Sequence, residues 1–364
     1  MTALPPATTA AEILKSSSPA AFGVYENFVL PAESAAIDAC NTLYIIQARV
    51  VGYLLLYPPS EDARRALTTE LASYKSSSNV HQRVYGLGAM YLRHFIFVFR
   101  RNRGRTPAPS DDSSPPSPDR AREEYMRQLQ PVPRDHLSAK HAALVRDNFR
   151  CMLTGTVDMA SVDENLTIRA PGETEDLTRC FRIFPDSLGN TETYGTGPKE
   201  YGTATVWSIL ERFGYENISA ELGSTSKNNL HRLENVMTLS PRIHALFDKM
   251  LLWLETVDET NSTHGTLSAQ DNTYKVVLAR GRTHDAINVR EKVHFVSHHP
   301  DLPVPNPRYL QIHATCCRIA HMSGAADYLD LVLRDIEESK VLAEDGTSAD
   351  TLTFAIHRRL ADPV

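Results

Sequence analysis

Apolar residues in the first hundred positions recur at helical spacing. From Ala35 to Leu56 they run through Ile37, Leu43, Ile45, Ile46, Val50, Val51 and Leu54 to Leu56. Glu61 to Tyr74 places Ala63, Leu67 and Leu71 on one face, and Tyr85 to Arg100 is a third, strongly apolar stretch. These patterns predict a helical N-terminal region, 1–105. Its first twenty residues are too rich in Ala, Ser and Pro to join a core. The region closes on Arg100, Arg101, Arg103 and Arg105. Residues 106–119, TPAPSDDSSPPSPD, have the composition of a linker and are the expected first site of internal proteolysis.

Beyond the linker the period changes more than once. Helices are expected at Asp119–Gln130 and His136–Asp147. Phe149–Leu153 and Thr178–Phe184 read as strands, with a turn at Gly155 between them and Pro185 ending the second. Tyr201–Phe213 is an amphipathic helix stopped by Gly214. Ser240 and Pro241 form a helix start, Ser as N-cap and Pro at the first helical position, for a helix to about Lys249. Leu251–Leu254, Tyr274–Leu278 and Val293–Val296 read as a small meander. Helices near Arg308–Met322 and Ala325–Ser339 follow. The expected class is α+β: a mainly helical chain divided into 1–105, 106–119, 120–256, 257–340 and a polar tail, 341–364.

The length of 364 residues, 42% hydrophobic and 23% charged, admits two or three modest domains. A formal net charge of −6 gives no bulk support for nucleic-acid binding, so any phosphate contact must come from a local basic patch. Lys140, Arg146 and Arg150 flank the first expected strand and are candidates, as are the arginines at 100–105. Val50–Pro58 is the longest apolar run and falls short of the 18 or so residues of a membrane span. The N-terminus shows no basic segment followed by an apolar one, so no secretory signal is read. Five scattered cysteines include no CxxC pair, which argues against a Zn knuckle. They suit a reducing intracellular setting, nuclear or cytoplasmic, as small buried hydrophobes. Trp207 and Trp253 read as core.

The candidate chemistry lies in HRLENVMTLSPRIHALFDK, residues 231–249. Asn235 precedes a short apolar stretch and the Ser240 helix start. His244 and Asp248 are four residues apart and share one helical face, a spacing that suits one metal ion or a His–carboxylate pair. An i,i+4 His/Asp pair is also an ordinary solvated helix pair, and the surroundings decide between the two. RDNFRCMLTG, and later LHRLENVMTLSPRIHALFDKMLLWLE, resemble the HNH nuclease domain common in fungal proteins. HFIFVFRRNRGRTPAPS and LPVPNPRYLQIHATCCRIAHMSGAADYLD resemble the flanks of those same proteins, so the likeness runs from about Val84 to Leu331.

The resemblance implies a small ββα-metal fold, one divalent ion (Mg, Mn or Zn), and hydrolysis of phosphodiester bonds in nucleic acid, DNA in the first instance. In that family a strand His is the general base, an Asn holds the loop, and a helix His binds metal. Asn235 matches the Asn and His244 the helix His, with Asp248 a second candidate ligand. The strand His is not matched. Where the family reads like A-A-H-I-x-P, this chain reads Cys180-Phe181-Arg182-Ile183-Phe184-Pro185. Arginine stays protonated in proteins and accepts no proton from water, although it can grip a phosphate. His231 and Asp186 are the substitutes within reach in sequence. His294, His298 and His299 read as a solvated cluster. Two functions stand open: an HNH-type nuclease impaired at Arg182, or a non-catalytic module of the same fold that binds nucleic acid or protein. Cys151–Leu153 is expected to pair antiparallel with Arg182–Phe184 under the 240–249 helix, with His244 turned toward the strands. Arg146, Arg150 and Arg182 are the expected phosphate contacts.

Overall fold

A computed structural model describes residues 1–15, 18–100, 133–185, 206–222, 227–257 and 272–338, with single positions at 123, 125–127, 129 and 188. The linker 106–119, most of the Asp119–Gln130 stretch, Arg101, Arg103, Arg105, Asp186 and the tail 341–364 lie outside the described residues. The chain is mainly helical α+β and carries its strands in three small sheets.

Two compact units share the chain, and they interleave. The first takes Met1–Arg100, Asn190–Thr225 and Thr315–Val364; the second takes Arg101–Gly189 and Ser226–Ala314. The boundaries drawn along the sequence at 105, 119 and 256 are therefore not those of the units. The reason is long-range packing. Ser60 Oγ donates to the Phe213 carbonyl, Tyr215 Oη donates to the Pro59 carbonyl, and Phe213 stacks on Tyr91 and meets Phe95 edge-on. These contacts draw the helix Val206–Arg212 into the N-terminal unit, where Trp207, Ile209 and Leu210 are buried.

Within the first unit the apolar stretch Ala35–Leu56 is broken in two. Leu30–Asp38 ends, Cys40 takes a left-handed φ of 52°, and Asn41 caps Thr42–Leu56 through its side chain to Tyr44 N at 3.0 Å. Cys40 is exposed at this break, unlike the other four cysteines, which are buried as expected. The Thr42–Leu56 helix then meets Val80–Tyr91 closely at Gly88, where an added Cβ would stand 2.1 Å from the Gln47 carbonyl oxygen. Arg100, first of the basic cluster, pairs with Asp330 at 2.6 Å.

In the second unit the helix His136–Arg146 opens with a capping box, Asp135 and Ser138 bonding each other's backbone N–H. Phe149–Leu153 is not a strand. Asn148 and Phe149 both take left-handed φ values, 52° and 56°, and the chain turns on itself through Gly155 N to the Cys151 carbonyl and Cys151 N to the Thr156 carbonyl. The strand Arg179–Arg182 pairs antiparallel instead with Val236–Leu239, the apolar stretch after Asn235. Met152 N joins this ribbon with one bond to the Thr238 carbonyl, at 2.9 Å. The meander is as expected: Leu252–Thr256, Thr273–Leu278 and Lys292–His294, antiparallel and in sequence order.

Candidate functional site

Side chains alternate across the ribbon. Cys180 joins the core beneath the His136–Arg146 helix with Ala139, Ala142 and Ala143. Phe181 turns the other way, to the helix Pro241–Asp248, where its ring lies 4.9 Å from Phe247 and edge-on to His244 at 5.3 Å. Arg182 returns to the first side. It is 3% exposed, and its Nη2 lies 3.0 Å from His136 Nδ1 and 2.7 Å from His231 Nδ1. Both imidazoles are half-buried.

Asn235 locks the loop that follows the strand. It is fully buried; its Oδ1 accepts from Phe184 N at 2.7 Å, and its Nδ2 donates to the carbonyls of Phe184 at 3.0 Å and Leu230 at 2.9 Å. The backbone agrees, with Ile183 N donating to the Asn235 carbonyl at 2.9 Å. Asp158 holds the strand's other end, accepting from Thr178 N and Oγ1 through Oδ1 and from Ser161 N and Oγ through Oδ2.

His244 faces Phe181 of the ribbon, and its Nδ1 lies 3.1 Å from Asp248 Oδ2. Pro241 stands at the first helical position, but Ser240 makes no side-chain cap bond. Asp248 also acts electrostatically on His313, fully buried, whose ring lies 5.4 Å from Phe247. Burial lowers the His313 pKa to about 4, with Asp248 working against the shift.

A divalent ion here would meet His244 with Asp248 behind it, the arrangement that orients a ligating imidazole. The set stops at two. The ribbon residue that faces His244 is Phe181, which offers no lone pair. Among the described residues no group of three His, Cys, Asp or Glu side chains is placed to share an ion. The site as described does not fit a chelated metal. His294, His298 and His299 form no such group either: their partners are Thr273 Oγ1, the Arg146 carbonyl and Asp301 N, respectively.

The arginines expected on phosphate are engaged inside the fold. Arg146 is fully buried and bonds both oxygens of Asp147 and the carbonyls of Leu233, Val236 and Pro303. A guanidinium so enclosed reaches no phosphate. Arg150 chelates Glu173 at 3.1 Å and bonds the Asn148 carbonyl. Arg182 is covered, and its terminal nitrogen serves the two histidines. His231 was within reach of sequence reasoning. His136 was not, because it lies 46 residues from Arg182 with no motif around it.

Residues 151–255 match the family model described as HNH endonuclease. The ribbon, Asn235, His244 and Asp248 all fall inside the match; His136 and His313 fall outside it. No curated protein and no solved structure matches the chain.

Proposed function

We propose that this protein binds nucleic acid, DNA in the first instance, through its HNH-type domain, and that hydrolysis there is reduced to a residual level. The observation that carries the reading is Arg182. It stands at the end of the ribbon strand that, in the family, presents the proton acceptor, and a guanidinium accepts no proton near neutral pH. Phe181 supports the same conclusion, since it puts an aromatic ring where the ribbon meets His244. The Asn235 clamp is intact, so the loop geometry of the fold is kept while its chemistry is not. The HNH family uses a divalent ion, Mg²⁺ or Mn²⁺ in this reading, to stabilise phosphate charge. In this chain His244, oriented by Asp248, is the residue placed to hold one.

A binding assay paired with plasmid nicking tests the proposal. Purified protein is expected to retain a labelled duplex yet to nick plasmid in Mg²⁺ or Mn²⁺ no faster than about tenfold over its His244→Ala variant. General-base catalysis is worth about 10² to 10⁴-fold. Arg182→His is therefore expected to raise the residual rate by at least about tenfold, and adding His244→Ala should remove the gain. Efficient metal-dependent cleavage by the unaltered chain, indifferent to Arg182→His, would overturn the reading.

A further inference from the structure

Arg182 does more than stand in the place of a base. Its single Nη2 reaches Nδ1 of both His136 and His231, at 3.0 and 2.7 Å. A guanidinium only donates, so each Nδ1 must keep its lone pair. Each imidazole is then neutral and carries its proton on Nε2. A histidine ordinarily chooses between two tautomers according to its surroundings; here one cation makes the choice for two rings. We infer that Arg182 is a positioning residue that holds His136 and His231 as a pair of Nε2–H donors, and that this pair receives the non-bridging oxygens of a nucleic-acid phosphate. The inference rests on the nucleic-acid-binding reading above and supplies its atoms of contact.

The three residues come from separate elements, and the fold fixes their spacing. His136 opens the His136–Arg146 helix, Arg182 ends the ribbon strand, and His231 ends the short 3-10 segment Lys227–His231. Asn235 ties the last two together, because its side chain bonds both Phe184, two residues after Arg182, and Leu230, next to His231. Neutral donors suit this place. The rings are half-buried, and presenting N–H groups there exposes no second cation beside the guanidinium. Arg182, nearly excluded from water, polarises both rings through a medium that screens it poorly. The neighbouring carboxylate, Asp135, is committed to the helix cap. Its pKa is lowered chiefly by the Ser138 backbone N–H, then by the Ser138 hydroxyl, with His231 a smaller contributor. The same tautomers remove His231 as a substitute base. Taking up a proton on Nδ1 would turn an acceptor into a donor facing Arg182, and Nε2 already carries its proton.

Two measurements on the full-length protein test this. The first is a ¹⁵N spectrum of the imidazoles at neutral pH without ligand, assigned with single His→Gln variants. Both rings should show the Nε2–H tautomer in the unaltered chain and lose that uniformity in Arg182→Met. A predominant Nδ1–H form in either ring of the unaltered protein overturns the inference. The second is binding of a fluorescein-labelled 20-base-pair DNA duplex in EDTA across a salt series. The double variant His136→Leu/His231→Leu should bind at least about tenfold more weakly, while His136→Gln/His231→Gln, which keeps an N–H near each Nε2 position, stays within about threefold. Because the lost donors are neutral, the slope of log affinity against log salt should not change. Losing a cationic contact would reduce it by about one. If the unaltered chain binds the duplex and the leucine pair binds equally well, or the glutamine pair fails as badly as the leucine pair, the inference falls and the binding reading stands. If the unaltered chain does not bind the duplex at all, the reading of function falls, and the inference with it.

Discussion

Replacing Arg146 by methionine removes a guanidinium with no exposed surface and leaves its partners in place. Asp147 loses bonds at 2.7 and 2.9 Å, and the carbonyls of Leu233 and Val236 lose bonds at 2.8 Å. The Pro303 carbonyl loses a longer one, at 3.2 Å. Asp147 keeps a contact from Thr238 N at 3.3 Å, too little to stabilise a buried carboxylate alone. Breaking a buried ion pair from one side costs about 3–5 kcal/mol, and each stranded carbonyl adds up to about 1–3 kcal/mol that does not sum simply. The expected loss is therefore about 4 kcal/mol or more. Removing both charges in Arg146→Met/Asp147→Leu should recover part of it, because the uncompensated charge goes too. Urea unfolding followed by Trp253 fluorescence, in a Trp207→Phe background, reads the unit that contains Arg146. A loss below about 1 kcal/mol would refute the structural role. So would unchanged stability with a DNA-binding salt slope lowered by about one, the signature of a phosphate contact.

Three further outcomes follow from named contacts. His313 has a folded pKa of about 4 against an ordinary 6.5, so the unfolded chain binds more protons between those values. Its contribution, on the order of 3 kcal/mol, is present above about pH 6.5 and lost as pH falls toward 4; His313→Leu should flatten urea midpoints across that window, and an unchanged slope would contradict the assignment. Asn235→Ala should lower stability by about 2–4 kcal/mol and speed hydrogen exchange at the Phe184 amide, which its Oδ1 protects; an unchanged exchange rate would remove the clamp from the argument. Gly88→Ala forces a Cβ against the Gln47 backbone and should cost at least about 1–3 kcal/mol in thermal melts, whereas Gly86→Ala on the same helix meets nothing within 4 Å and should be neutral or stabilising by up to about 1 kcal/mol. Equal melting temperatures for the two variants would deny the close helix approach.

Elements governed by local periodicity and punctuation were legible along the chain. The helices at Glu61–Ser73, His136–Arg146, Pro307–Ser323 and Ala325–Glu338 and the three-strand meander stand where apolar spacing, Pro and Gly put them. Asn235, His244 and Asp248 were legible because they fall within one short motif, and the motif's neighbours are neighbours in space. What depended on pairing distant segments was not. Val236–Leu239 has too few residues to declare itself a strand and becomes one only because Arg179–Arg182 arrives to share its hydrogen bonds. Phe149–Leu153 has strand-like residues, yet left-handed backbone at Asn148 and Phe149 spends them on a turn. Charge told least of all. A sequence shows where an arginine stands but not whether water reaches it, and that decides whether it meets a phosphate or, like Arg146, bonds three carbonyls and an aspartate inside the fold. His136 is the clearest case: nothing around it marks it, and only the folding of its helix against the ribbon brings its Nδ1 within 3.0 Å of Arg182. Local pattern determines elements because backbone hydrogen bonds and side-chain facing are local; the site is decided by tertiary structure because its geometry is set by segments 46 and 49 residues apart whose meeting no local rule encodes.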